Sequence, residues 1–335
     1  MEKFDVVIVG AGPAGLKAAE ILAKNNRKVL VLEKNKVIGP KVCAAGITEK
    51  DLTYIPKKLI ERTFTSFLMV KNSKIRVKHK LYIVEREKLG QYQLKQAKKA
   101  GAVIKTNCFV KKINKNSVIV NNKEYSFNYL IGADGSSSIV RNYIGLKSKV
   151  IALAVQYKLD QPMKDLELHF NPQLFYSWYA WVFPHKNYSY IGTGILTSLK
   201  QSKNLRKKLD EFTKQQNLDT KNAEFEAALI NADYQGFKFN NTFLVGDAAG
   251  LANPFTGEGI YQALVSGEEI SKKIINPNYK SNKLKIIISK NKKLIKWLFI
   301  FNNSPYLLRM FYWLGFKLMN YKSIQNGFIK LLLDY

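Results

Sequence analysis

Two glycine-rich segments and a run of alternating aromatics hold most of the chemistry this chain can perform. The first segment, Val6-Val7-Ile8-Val9-Gly10-Ala11-Gly12-Pro13-Ala14-Gly15, has G-x-G-x-x-G spacing. Gly10 allows a tight turn, Gly12 lets backbone approach a pyrophosphate, and Gly15 lets a helix pack closely on its strand. Pro13 and Ala14 open that helix, whose N-terminal N–H groups and dipole suit phosphates. Glu33 stands about 20 residues on, where this fingerprint places an acid for ribose hydroxyls. Lys34 beside it is assigned to the same site, and Glu33 repels a 2′-phosphate. The second segment is Phe243-Leu244-Val245-Gly246-Asp247-Ala248-Ala249-Gly250, followed by Pro254 and Gly257-Glu258-Gly259-Ile260. Asp247 is an acceptor for a sugar or ribityl hydroxyl, and Pro254 stiffens the loop. Gly257 and Gly259, flanking Glu258, leave room for a flat ring. Ile260 begins a helix whose dipole stabilises negative charge on a reduced flavin. Together the segments predict bound FAD.

Other candidates lie between them. Asp134, in Gly132-Ala133-Asp134-Gly135, caps a helix expected from about Ser136 and closes the cofactor site. Arg86 opens a helix and either contacts the pyrophosphate or is merely solvated. Cys43 and Ala44 lie in a loop expected beside the flavin. Cys43 is either a pocket thiol or proton donor, or an inert buried cysteine. Cys108 reads as core within a strand. His79, His169 and His185 show no metal-ligand spacing, so no metal is expected.

The elements that must position these residues are legible as a βαβ unit. It comprises a buried strand over 4–9, a helix over 13–25, and a strand from Lys28 to Leu32. A helix spans Arg86 to Lys99. Short strands follow near 102–106, 108–113 and 117–120, and Tyr129–Ile131 leads into the Asp134 turn. Aromatic-rich strands are expected from 151 to 197, then helices near 202–216 and 222–230. The fold class is α/β: a Rossmann-like FAD-binding domain, a smaller mixed α+β substrate domain and a C-terminal helical region. The expected divisions are 1–56, 85–150 and 236–278 for FAD, 57–84 and 151–235 for substrate, and 279–335 for the helical part.

Within the substrate portion, Tyr179, Trp181 and Phe183 alternate before Pro184 and so share one face of a strand, with Trp178 on the other. Such a face reads either as core or as a wall for a long apolar chain. The motifs resemble those of glutathione-reductase-like FAD proteins with a hydroxylase-type fold, most closely the geranylgeranyl reductase family. Resemblance rests on the N-terminal fingerprint, the Asp134 turn, the Gly246-to-Ile260 segment and Tyr179-Ala180-Trp181-Val182-Phe183-Pro184. It covers roughly residues 1–275. His185 stands where the family often has lysine, and alanines replace two glycines in Lys41-Val42-Cys43-Ala44-Ala45-Gly46. The resemblance implies hydride transfer from reduced flavin to isoprenoid double bonds of a membrane lipid or its precursor. The electron donor it implies is NADPH or a reduced carrier such as ferredoxin. An alternative is a flavin monooxygenase or halogenase acting on a small aromatic compound, though such proteins usually carry histidine at the position of Gly250. A third is a basic peripheral membrane protein with a vestigial flavin site.

The 335 residues carry a net charge of +29, with 46% hydrophobic residues and two cysteines. This composition is that of a globular chain large enough for two lobes, and so few cysteines point to a reducing compartment. Lysine, asparagine and isoleucine are abundant, as in AT-rich genomes, a bias that competes with any partner as the explanation of the charge. The remaining partners for such charge are an anionic membrane face or an acidic electron-transfer protein. No nucleic-acid motif is present. The chain enters a strand at once, leaving no room for a signal peptide, and no apolar run is long enough to span a bilayer. From Lys280 onward lysines adjoin Trp297, Phe299 and Phe301, with Asp334 the only acid. This pattern suits a cytoplasmic protein peripheral on an anionic membrane, or helices packed on the catalytic lobe.

Overall fold

A computed structural model describes residues 2–71 and 73–332. Asp334 lies outside the described residues. The apolar β-branched run at the N-terminus forms the strand Glu2–Val9 at the centre of an eight-stranded sheet. Lys123–Gly132 pairs with it in parallel on one side and Val29–Leu32 on the other. Thr242–Leu244 and Val103–Lys105 extend the parallel set outward. The inner strands are buried on both faces, as a parallel sheet requires, while Val103–Lys105 at the edge is partly exposed. The helix Pro13–Lys24 packs its Leu16, Ala19, Leu22 and Ala23 stripe onto this core. The crossing helix Ile260–Ile275 comes so close that a Cβ on Gly267 would sit 2.4 Å from the Ala14 carbonyl oxygen.

A seven-stranded sheet forms the second layer. Its order runs from the edge strand Glu224–Asn231 through Ile151–Leu159, Ser189–Leu196 and the aromatic strand Ala180–Pro184. Glu167–His169, Phe67–Val70 and Lys74–Val77 complete it. A three-stranded sheet joins Gly46–Ile47 to Leu81–Val84 and Ile60–Phe64. It thus links residues on both sides of the division expected at 57. Three helices follow the dinucleotide lobe: Asn282–Asn303, Pro305–Leu318 and Lys322–Leu332.

Two expectations are corrected. The segment 222–230 is a strand, Glu224–Asn231, not a helix. Its alanines and glutamates favour a helix locally, but it pairs along its full length with Ile151–Leu159, and tertiary pairing overrides weak propensity. The strand near 108–113 begins only at Val110. Cys108 therefore lies in the preceding loop, half-buried, where its amide donates to the Glu33 carbonyl oxygen at 2.8 Å.

Candidate functional site

At the nucleotide end the three fingerprint glycines have different reasons to be glycine. Gly10 has φ +99°, and a Cβ there would meet the Ala133 carbonyl oxygen at 2.4 Å. A Cβ on Gly15 would lie 2.1 Å from the Gly10 carbonyl oxygen. Gly12, the N-cap of Pro13–Lys24, has no neighbour within 4 Å of its Cβ position and faces an open cavity. The fold needs glycine at the first two positions, whereas no protein atom requires it at the third.

Glu33 is buried, and its carboxylate accepts from the amides of Ala11 at 2.8 Å and Asn35 at 2.9 Å. It therefore braces the fingerprint turn while lining the cavity beside exposed Lys34 and Cys108. Arg86 opens the helix Arg86–Lys99 and lines the same space, and its Nε and Nη1 have no hydrogen-bond partner. Two buried guanidinium nitrogens without a partner, beside an open glycine turn and a helix N-terminus, fit a pyrophosphate. Asp134 accepts from Ser138 Oγ and from the amides of Ile139 and Val140. The helix it caps is Ile139–Tyr143, later than the expected start at Ser136. Burial raises the Asp134 pKa against the opposing effect of the Ser138 hydrogen bond.

At the flavin end the strand Thr242–Leu244 delivers a 3-10 turn, Gly246–Ala249. Asp247 Oδ2 lies 3.2 Å from Ser136 Oγ and 3.3 Å from Lys41 Nζ. Buried Arg141 fixes the turn by donating to the carbonyls of Ala248 at 3.2 Å and Asp233 at 2.8 Å. Sequence reasoning did not assign that job to Arg141. Gly250, at φ +73°, could not bear a side chain, since its Cβ would lie 2.3 Å from the Asp233 carbonyl. Pro254 lies in an Asx turn made by Asn253, whose Oδ1 accepts from the amides of Phe255 and Thr256. It is buried and does not line the cavity, whereas Gly257, Glu258, Gly259 and Ile260 do. Gly259 is the N-cap of Ile260–Ile275. Glu258 forms an ion pair with Lys50 at 3.0 Å. Burial raises its pKa, with Lys50 opposing. Neighbouring Asp51 is pushed up to about 7 by burial first and then by the Glu258 charge.

The loop holding Cys43 and Ala44 is clasped from the substrate side. His185, almost fully buried, places Nδ1 2.7 Å from Glu61 Oε2 and Nε2 3.2 Å from the Ala44 carbonyl oxygen. Two residues earlier, Phe183 presses on Gly46, where a Cβ would sit 2.2 Å from its ring. Alternation along one strand face thus gives the loop two anchors. Cys43 Sγ, lining the cavity, accepts from the Ala45 amide at 3.3 Å.

Tyr179, Trp181 and Phe183 all line the cavity, Trp181 and Phe183 from one face of the strand and Tyr179 from just before it. Trp178 lines it too, and so is not on the opposite face. Regular alternation starts only at Ala180, after Tyr176 turns the chain with φ +55°. The ring of Trp178 reaches within 3.4 Å of the Cβ position of Gly257. Pro184 ends the strand opposite Ser189, away from the cavity. Tyr179 donates its hydroxyl to the Thr256 carbonyl oxygen at 2.7 Å, and burial followed by the Glu258 charge raises its pKa.

All these surfaces enclose one cavity of about 1220 Å³. Its far wall comes from the C-terminal helices, through Leu294, Trp297 and Phe301 on Asn282–Asn303 and Leu308, Phe311 and Tyr312 on Pro305–Leu318. Sequence reasoning left this region between membrane contact and packing. The spacing 294, 297, 298, 301 was the available sign of one inward stripe.

The pyridine nucleotide-disulphide oxidoreductase family model matches residues 4–170. A flavin is accordingly the cofactor that this fold takes. A digeranylgeranylglycerophospholipid reductase of Methanococcus vannielii is 33% identical over 312 residues, covering 83% of this chain and 79% of that protein. The solved structure of a geranylgeranyl bacteriochlorophyll reductase-like protein of Thermoplasma acidophilum superposes with a TM-score of 0.72 at 25% identity. It covers 88% of this chain and 84% of that one. A flavin-dependent brominase, with a TM-score of 0.71 at 16% identity over 99% of this chain and 94% of its own, shares the fold alone. Identity of one-third across most of both chains shows the family, and the chain belongs to the geranylgeranyl reductase family.

Proposed function

We propose that this protein is an FAD-dependent reductase that saturates isoprenoid double bonds of a membrane lipid or its precursor. The supporting observation is the single cavity running from the fingerprint, past the flavin loop, to the aromatic wall. Bound and reduced FAD supplies the hydride for one alkene carbon. Gly10, Gly12, Pro13, Ala14 and Glu33 hold the nucleotide, with Arg86 on the pyrophosphate, and Asp247 holds the ribityl chain. Trp181, Phe183, Phe301 and Phe311 hold the prenyl chain flat and exclude water, which alignment of a poor hydride acceptor demands. The proton for the second carbon comes from the cavity wall, where Cys43 is a candidate donor.

The test is incubation of chemically reduced, FAD-loaded protein with a geranylgeranyl lipid in the absence of oxygen, followed by mass spectrometry. Gain of two hydrogens per double bond supports the reading. Oxygen uptake with a hydroxylated or halogenated product would establish the monooxygenase alternative instead. Comparing NADPH with reduced ferredoxin in the same assay identifies the donor.

Peripheral contact with an anionic membrane is part of this proposal. No helix among the described residues is long and apolar enough to cross a bilayer. The helix Pro305–Leu318 exposes Tyr306, Leu307, Met310, Phe311 and Leu314, and all but Tyr306 also line the cavity. A mouth rimmed in this way gives a water-insoluble chain a route from bilayer to flavin.

A further inference from the structure

The helix Pro305–Leu318 separates two cavities. Leu307, Met310, Phe311 and Leu314 turn towards the large one. Arg309 and Trp313, one turn apart, turn towards a second cavity of about 390 Å³. Its other walls include Lys71, His169, Asn171 and Gln173. Among the lining residues three side chains are basic and none is acidic. Glu167 is the nearby carboxylate, and it is engaged by His169 Nε2 at 2.7 Å and by Lys74 at 3.8 Å. Among the described residues no carboxylate pairs with Arg309 or Lys71. Trp313 is 59% exposed, with Lys317 Nζ 5.3 Å from its ring centroid.

We infer that this second cavity binds the phosphate-bearing headgroup of an anionic bilayer lipid, a site separate from that of the reacting chain. The inference rests on the membrane reading above. Arg309 and Lys71 line, with Asn171 and Gln173, a space that no carboxylate among its lining residues fills, and a guanidinium beside an ammonium and side-chain amides suits phosphodiester recognition. The occupant is a bilayer lipid rather than a free phosphate because the same helix shows exposed apolar residues beside the pocket. Trp313 and Lys317 add the aromatic and basic pair favoured at a lipid–water boundary. One bound headgroup would hold the mouth of the large cavity against the bilayer.

The test uses full-length, FAD-loaded protein and vesicles of phosphatidylcholine with or without phosphatidylglycerol. The double variant Arg309→Gln/Lys71→Gln is compared with Lys111→Gln/Lys112→Gln, which removes the same charge from an exposed strand of the dinucleotide lobe. Partition onto phosphatidylglycerol vesicles should fall roughly tenfold in the first variant, since each basic group at a lipid surface contributes substantially. It should fall less than about twofold in the second, whose lysines need not face the membrane. Equal losses in the two variants overturn the headgroup site and leave diffuse attraction. Wild-type protein that floats with neither vesicle overturns the membrane reading itself. Retained flavin colour in both variants confirms that the fold is intact.

Discussion

Replacing Gly12 with valine separates what the fold needs from what the cofactor needs. Gly12 has φ −72° and ψ −179°, a region open to any residue, and no atom lies within 4 Å of its Cβ position. The apoprotein should therefore tolerate valine with a change of about 0.5 kcal/mol or less, as for an unstrained surface site. Isopropyl carbons at that place fill the space assigned to the pyrophosphate, so FAD should not bind. Saturating ligand at a thousand times its dissociation constant stabilises a protein by about 4 kcal/mol. At ~2 °C per kcal/mol for a long chain, wild type should melt ~8 °C higher with FAD than without. The Gly12→Val protein should melt within ~1 °C of wild-type apoprotein, and added FAD should leave it there. Gly10→Ala is the contrasting case, because its new Cβ would lie 2.4 Å from the Ala133 carbonyl oxygen, and it should lose apo stability as well. Differential scanning fluorimetry with flavin absorbance reads all of this. A Gly12→Val protein that purifies with one FAD per chain refutes the cofactor placement, and one that fails to fold refutes the claim that the site is open.

Three further outcomes are expected. Trp181→Ala should cost ~3–5 kcal/mol of stability, as for other buried tryptophans, and lower kcat/KM for long prenyl chains more than for short ones. An unchanged chain-length profile in a folded variant would remove Trp181 from the channel. His185→Ala, which frees the Ala44 carbonyl and Glu61, should cost about 1–3 kcal/mol. It should also speed alkylation of Cys43 in FAD-loaded protein carrying Cys108→Ser; an unaltered rate would show that the loop does not depend on His185. Asp51, with a folded pKa of about 7 against an ordinary 3.8, binds its proton more tightly folded than unfolded. Its contribution to stability is therefore complete at acidic pH and lost as pH rises from about 4 through 7. Asp51→Asn should flatten that decline in chemical denaturation, and an identical decline would place its cause elsewhere.

The dinucleotide lobe was legible because its signals are local. Gly10, Gly12 and Gly15 sit between an apolar run and a helical stripe, and each element formed where the period changed. Glu33 and Asp134 fell in place for the same reason. What the sequence concealed depends on contacts between distant segments. Ala227 and Ala228 belong to a good helix former, yet the open edge of Ile151–Leu159 takes them into a sheet. Trp178 breaks alternation because one residue, Tyr176, adopts φ +55°. Arg141 is buried among carbonyls from residues more than 90 positions away. His185 was noticed only as a departure from the family pattern; its partners Glu61 and Ala44 are more than 120 positions distant.

The wall of the large cavity carries both satisfied and unsatisfied polar groups. Hydride transfer to an unactivated alkene needs walls that do not hold water. On the substrate side the Tyr179 hydroxyl is tied to the Thr256 carbonyl and Ser177 Oγ to Asn302 Oδ1 at 2.8 Å. On the nucleotide side Arg86 Nε and Nη1 are left without partners. A buried donor left alone costs about 1–3 kcal/mol or more, so a folded chain retains such groups where a ligand completes them. The indole N–H groups of Trp178 and Trp181 are also unpartnered. Trp178 borders the flavin loop at Gly257, and Trp181 is the next inward tryptophan along the chain. In the proposed arrangement the Arg86 nitrogens and the two indole N–H groups are wall donors left for bound ligands to complete.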